Sequence, residues 1–182
     1  MANVFICPIG EEAATAHVGF AVEAGYELET LLPLIRNEVQ VENLRRYCPD
    51  GRCYVWGVRE KGDNLSAWDM VARDDLVLGY RNRSIVSAAF VLMKVRNPLL
   101  AERLWGRNAE GPFGLMWFSD KPHVGEVPIV SQMLGYLDQE YRGFSRLSPE
   151  KCQTILNAYG SLEVFVRLGL RYDFPFNFRH SE

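Results

Sequence analysis

Long hydrophobic runs, a metal-binding cysteine pattern and any excess of positive charge are all missing from this sequence of 182 residues. The longest mid-chain stretch free of both charge and turn residues is residues 84–93, closed off by Arg83 and Lys94. A membrane-spanning helix needs about 20 apolar residues, so no membrane partner is expected. Residues 1–10 have no basic start and carry Pro8 inside their only apolar run, unlike a secretory signal, and the expected location is the cytoplasm. Of four cysteines, Cys7, Cys48, Cys53 and Cys152, only Cys48 and Cys53 are close, and their spacing fits neither a CxxC redox pair nor a zinc knuckle. Buried or indifferent thiols are expected. Asp63, Asp74 and Asp75 fall in turns, where carboxylates are ordinarily just solvated, so neither a metal nor any other cofactor is expected.

The enzyme templates are missing too. There is no GxxxxGK[ST] phosphate loop, no GxGxxG after a strand, no HExxH and no GxSxG elbow. His17, His123 and His180 stand in separate contexts, none beside a local nucleophile. Catalysis is therefore the weaker class, with no catalytic residue assigned. Its surviving form is a small-molecule enzyme using His123 with a distant cysteine or acid. The formal net charge of −3, from 20 basic and 23 acidic side chains, excludes a polycationic coat for indiscriminate nucleic-acid binding. It does not exclude a local basic strip.

What is present is a globular mixture, 48% hydrophobic, 12% aromatic and 24% charged, at a length that suits one domain over residues 1–182. Residues 4–7 read as a short buried strand ending at Pro8, followed by a helix over 13–22. Leu28, Leu31, Leu32 and Ile35 recur at helical spacing across a break at Pro33, and Val41, Leu44 and Tyr47 extend a helical face to the turn at 49–51. Strands follow at 52–59, 76–80, 85–95 and 115–118, with a polar hairpin connection at 81–84. The first places Tyr54, Trp56 and Val58 on one face and Cys53 and Val55 on the other. Pro98 and Pro128 each open a predicted helix, the latter burying Val130, Met133, Leu134 and Leu137, and Ser148-Pro149-Glu150 caps another. The expected fold is α+β, a mixed β-barrel or strongly curved sheet surrounded by helices. Residues 1–50 are its mostly helical N-terminal part, 52–120 its strand-rich core and 128–170 its C-terminal helices.

Charge is laid out unevenly. Residues 41–100 hold ten basic and seven acidic side chains, a net of +3, whereas the first forty residues hold one arginine against six glutamates. Basic groups near Tyr54, Trp56, Trp68 and Tyr80 make the combination that a single-stranded or extruded nucleotide needs, cations for phosphate and flat rings for the base. Aromatic core with a solvated arginine rim is the plainer reading of the same residues.

The order Val55-Trp56-Gly57-Val58-Arg59, a Gly62-Asp63-Asn64 turn, Trp68 and Met70, then Asp75-Leu76-Val77-Leu78-Gly79-Tyr80 resembles the core of EVE domains in the PUA-like superfamily. In that family a WxGVRN-like element precedes a helix and a Gly-Asp strand ending in tyrosine; here Arg73-Asp74-Asp75 stands where the Gly-Asp would be. The region is similar also to YTH relatives. More loosely, residues 4–8, 104–106, 116–120 and 127–128 resemble the N-terminal specificity domains of modification-dependent (type IV, McrB-like) restriction systems. The resemblance implies a non-catalytic reader of a modified base in double-stranded DNA, methylated or hydroxymethylated cytosine or N6-methyladenine, flipped into an aromatic pocket. A nuclease or NTPase would then reside on another domain or subunit. It also implies roles: Trp56 as stacking ring, Trp68, Tyr80 and Trp117 as second walls, Asn64 or Asp69 at a base edge, and the Gly57 carbonyl as acceptor for an exocyclic amine. Arg59, Lys61, Arg81 and Arg83, near strand ends, become phosphate contacts. An RNA-binding PUA- or YTH-like reader is the alternative within the same superfamily.

Overall fold

The computed structural model describes residues 2–9, 24–107 and 109–171, so the helix expected over 13–22, with His17, and His180 lie outside the described residues. The described residues form eight strands, β1 Val4–Pro8, β2 Tyr26–Glu27, β3 Arg52–Val58, β4 Leu76–Arg81, β5 Ser84–Arg96, β6 Leu115–Ser119, β7 His123–Pro128 and β8 Ser145–Arg146, of which β1, β3, β4, β5 and β6 are the five predicted. They form one sheet in the order β2-β3-β6-β5-β4-β1-β8, with β7 paired to β5. Among the described residues only β1 and β4 run parallel. The 13-residue β5 joins the two arms, pairing with β4 and β7 through its first half and with β6 through its second. Register shifts between Ile85 and Ser87 and between Val91 and Met93 turn it from one arm to the other. The sheet is thus strongly curved and not closed into a barrel: β1 faces β3 across the interior without pairing to it.

Strand alternation sorts side chains into three cores. Val4 and Ile6 of β1, with Leu76, Leu78 and Tyr80 of β4, point outward to the C-terminal helices. Cys53 and Val55 of β3, with Met116 and Phe118 of β6, point outward on the other arm. Phe5, Cys7, Val58, Val77, Leu115 and Trp117 fill the concave side. Helix α1 (Leu28–Leu31) continues as a 3-10 turn containing Pro33, and with α2 (Glu38–Tyr47) and α4 (Pro98–Trp105) it covers the β3–β6 arm. Asn37, Asn97 and Ser148 cap α2, α4 and α5 (Pro149–Tyr159) through their side-chain oxygens. Helix α3 (Asn64–Asp69) lies against the concave core, and α6 (Leu162–Val164) runs into a π-helical turn over the β1–β4 arm.

The segment after Pro128 differs from the predicted helix. It ends β7 and then makes one 3-10 turn, Ser131–Met133. Ile129, Met133 and Leu137 are buried at four-residue spacing, while Val130 and Leu134 are exposed. The apolar period therefore reports a buried edge made by separate turns, with the Leu137 N–H donating to the Met133 carbonyl at 2.8 Å. The connection at 81–84 is a two-residue hairpin with Asn82 and Arg83 at φ 49° and 61°, the left-handed backbone that matches strand twist. Among the described residues no helix is long and apolar enough to cross a membrane, and no cluster of three metal-ligating side chains occurs.

Asp75 is the one buried carboxylate among the described residues, 1% exposed. Its Oδ1 accepts from the Asn3 backbone N–H at 2.7 Å and the Asn3 amide at 3.1 Å, and its Oδ2 accepts from the Ala72 N–H at 2.8 Å. It pins the starts of the parallel pair β1 and β4. Asp75→Ala strands those donors and is expected to remove about 3 kcal/mol of stability, read as a lower midpoint in urea, with Asp75→Asn losing less.

Candidate nucleic-acid interface

One end of the concave face is filled. The Phe144 ring lies between Phe5 and Trp117, with centroids 5.4 and 5.1 Å away and planes tilted by 11° and 17°. Trp68 reaches in from α3, and its indole N–H donates to the Met116 carbonyl at 3.0 Å. The Lys94 ammonium sits 4.7 Å from the Trp68 ring centre and donates to the Trp68 and Asp69 carbonyls at 3.1 and 2.6 Å. Asn64 fastens this end: its amide donates to the Arg59 carbonyl at 2.9 Å and its Oδ1 accepts from the Phe144 N–H at 3.2 Å.

The other end is open. A pocket of about 400 Å³, its mouth included, is bounded by Cys7, Trp56, Gly79, Ser87, Trp117 and Ser119 among others, with Pro122 at the rim. Half-buried Trp56 forms one wall, its ring centre 6.2 Å from that of Trp105, and it hydrogen-bonds with the Cys7 thiol. Gly79 keeps the opposite wall thin: a Cβ there would overlap Ser87 Oγ and lie 2.7 Å from the Ile9 side chain. The rim is held by Asp120, whose carboxylate accepts the Phe90 N–H at 2.8 Å and whose own N–H donates to the Phe90 carbonyl at 3.0 Å. Burial pushes the Cys7 thiol up to about 12 against the weaker opposing effect of Trp56. The lining is therefore uncharged, with an indole, a thiol and two serine hydroxyls facing an apolar space. It suits a flat, neutral, weakly polar ring.

Of the predicted pocket residues, Trp56 and Trp117 meet here. Trp117 is 2% exposed and forms the floor under Phe144. The others stand elsewhere. Tyr80 points outward, its hydroxyl donating to the Gln139 carbonyl at 2.7 Å and its ring edge-on to Tyr141 at 5.2 Å. Trp68 and Asn64 build the filled end, and exposed Asp69 ends α3. Gly57 admits the loop before β6, since a Cβ there would lie 2.5 Å from the Phe113 carbonyl oxygen. Register also divides the cations. Val58 pairs with Leu115 at the filled end, so Arg59 and Lys61 follow there, and both pair with Glu110, at 2.9 and 3.4 Å. Arg59 also packs 4.0 Å from the Phe113 ring centre. Arg81 and Arg83 flank the β4–β5 hairpin at the pocket end, Arg83 with Glu140 at 3.3 Å. His123 lines a separate groove beside Tyr136 and Tyr159, one whose lining includes Glu126 but no cysteine, and burial lowers its pKa.

Sequence reasoning missed Cys7, Ser87, Ser119 and Phe144. Inward alternation on β1 could have found Cys7; nothing local marks Phe144, which acts from a loop.

No family model matches the sequence, and no curated protein does. Among solved structures, the N-terminal domain of Thermococcus gammatolerans McrB bound to m5C DNA is similar, with a TM-score of 0.63 at 15% identity. The alignment covers 88% of this chain and 98% of that one. At this identity the likeness is one of fold.

The raised thiol pKa has a chemical consequence. At pH 8 a group titrating near 12 rather than 9 is roughly a thousandfold poorer in thiolate. Iodoacetamide at pH 8 is expected to leave Cys7 unmodified in the folded chain and to alkylate it after denaturation, read by peptide mass.

Proposed function

We propose that this chain is a non-catalytic reader of modified DNA, an EVE-type PUA-like domain that takes an extruded base into the pocket beside Trp56. The observation that carries the reading is an open, uncharged, tryptophan-walled pocket on the concave face of a fold shared with a domain solved on m5C DNA. 5-Methylcytosine is accordingly the first modification to test, and a restriction system's nuclease or NTPase the partner that would act on the signal.

Extruding a base costs a few kcal/mol. Stacking on an aromatic wall returns about 1–3 kcal/mol. The two nearly balance, so Trp56 is decisive: it is the half-buried ring at the open end, while Trp117 is already covered by Phe144. Phosphate attraction falls to the pocket end, to Arg81, Arg83 and Lys121 beside the rim proline. Arg59 and Lys61 are engaged with Glu110 at the far end.

The test is a panel of otherwise identical duplexes carrying 5-methylcytosine, 5-hydroxymethylcytosine, N6-methyladenine or no modification. One modified duplex is expected to bind tighter than the plain one, and Trp56→Ala to lose about 1–3 kcal/mol, roughly five- to 150-fold, on that duplex with the fold intact by circular dichroism. Equal weak binding to all four rejects the reading, preference for methylated single-stranded RNA replaces it with an RNA reader, and turnover of a substrate dependent on His123 replaces it with an enzyme.

A second prediction separates the cations. Arg81→Ala is expected to weaken all duplexes alike and to reduce the slope of log affinity against log salt by about 1. Arg59→Ala is expected to leave DNA affinity unchanged, and a loss equal to that of Arg81→Ala would move the phosphate track to the far end.

A further inference from the structure

The turn between α2 and β3 brings Cys48 and Cys53 together. Cys48 caps the C-terminus of α2 and Cys53 is the second residue of β3. Between them Gly51, at φ +73°, donates its N–H to the Cys48 carbonyl at 3.0 Å, and Asp50 accepts the Arg52 N–H at 3.1 Å. The reversal sets the two sulfurs 3.1 Å apart, the Cys53 thiol donating to Cys48 Sγ. Both are buried beside Leu44 and Val55, at 4% and 0% exposure. The five-residue separation that fails the CxxC and zinc patterns thus makes a preformed dithiol.

We infer that Cys48 and Cys53 are an oxidative modification site, converted to an intramolecular disulfide by a hydroperoxide-class oxidant. In the first step Cys48 sulfur takes the hydroxyl of hydrogen peroxide; the O–O bond breaks, and the departing hydroxide leaves as water with the thiol proton. In the second, Cys53 sulfur attacks Cys48 Sγ, the S–O bond breaks, and the Cys53 proton leaves with that oxygen as a second water. Two thiols lose two electrons and two protons, and one peroxide becomes two waters.

The contact assigns the order. The hydrogen bond from Cys53 lowers the Cys48 pKa, and the same bond with burial raises that of Cys53, so Cys48 attacks and Cys53 resolves. Bond formation needs the sulfurs to close by about 1 Å, to the disulfide length of about 2.05 Å. Cys7 and Cys152 are both buried with pKa values raised by that burial, and neither competes for Cys48. The site is independent of the DNA reading, although β3 carries Trp56 three residues further on.

The experiment uses the unmutated full chain, treated with hydrogen peroxide at neutral pH, alkylated and digested with trypsin without reductant. Cleavage after Arg46, Arg52 and Arg59 separates residues 47–52 from 53–59. The expected result is these two peptides joined and lighter by two hydrogens, parting on reduction, with the thiol count of the denatured chain falling from four to two. Recovery of the two peptides singly, alkylated or carrying sulfinic acid, overturns the inference. So does linkage of either cysteine to Cys7 or Cys152.

Discussion

Phe144 is the side chain on which the curvature turns. Phe5 belongs to β1 and Trp117 to β6, strands separated in the sheet by β5 and β4, and the Phe144 ring stacks on both. A flat sheet would hold those two rings too far apart to share a partner. Each stacked pair adds about 0.5–1.5 kcal/mol beyond ordinary burial. The loop that delivers the ring is held by the amide of Asn64, itself anchored to the end of β3. Protein rings fill one end of the concave face, and the pocket lies at the other. The pocket is therefore a consequence of how the sheet is bent, with Trp56 and Cys7 as the two strands' side chains that reach each other across it.

The fold was legible where short apolar runs end at turn residues. Residues 4–7, 52–59, 76–80, 85–95 and 115–118 read as strands because they are short, β-branched and aromatic-rich runs buried on both faces, and the division of Trp56 and Val58 from Cys53 and Val55 is the one observed. Neighbourhood was not legible. Chain order gives no sign that β6, from much later in the chain, lies between β3 and β5. The bulges in β5 that allow this have no local signature. The same limit governed the site: Trp56 and Trp117 share a face by register, but Tyr80 follows Leu76 and Leu78 outward, a parity that the motif resemblance overrode.

The charge count carried a different lesson. A net of +3 over residues 41–100 suggests a basic strip, yet the acids that answer it come partly from outside that segment. Glu110 holds Arg59 and Lys61, and Glu140 meets Arg83. Lys94 is directed at the carbonyls of α3 and Arg96 at Glu60. Sequence distance hides these pairs. Exposed pairs such as Arg83 and Glu140 are worth only about 0–1 kcal/mol, so an approaching phosphate can replace the carboxylate at little cost. On the proposed DNA reading, backbone attraction in such an arrangement would be weak and salt-sensitive, and selectivity would have to be built inside the pocket.

That requirement bears on its walls. A buried methyl contributes about 0.8 kcal/mol, close to a fourfold preference, which is too little to distinguish a modified base among many plain ones. Larger discrimination comes from fit, or from a polar group that the wrong ligand leaves unpaired. Both depend on a wall that cannot yield. Gly79 lets Ser87 and Ile9 close over β4 with no room for another carbon, and Ser119 is tied through its hydroxyl to the Asp120 carbonyl at 2.9 Å. Cys7, held neutral by burial and bonded to Trp56, adds a polar contact without a charge that would repel an uncharged ring. The rigid side of the pocket is thus the β1–β4–β5 side, and Trp56, half-buried on β3, is the wall exposed to solvent. On the proposed DNA reading, a base entering there would meet its stacking partner first and its fit last, with affinity resting on the tryptophan and selectivity on the small residues opposite.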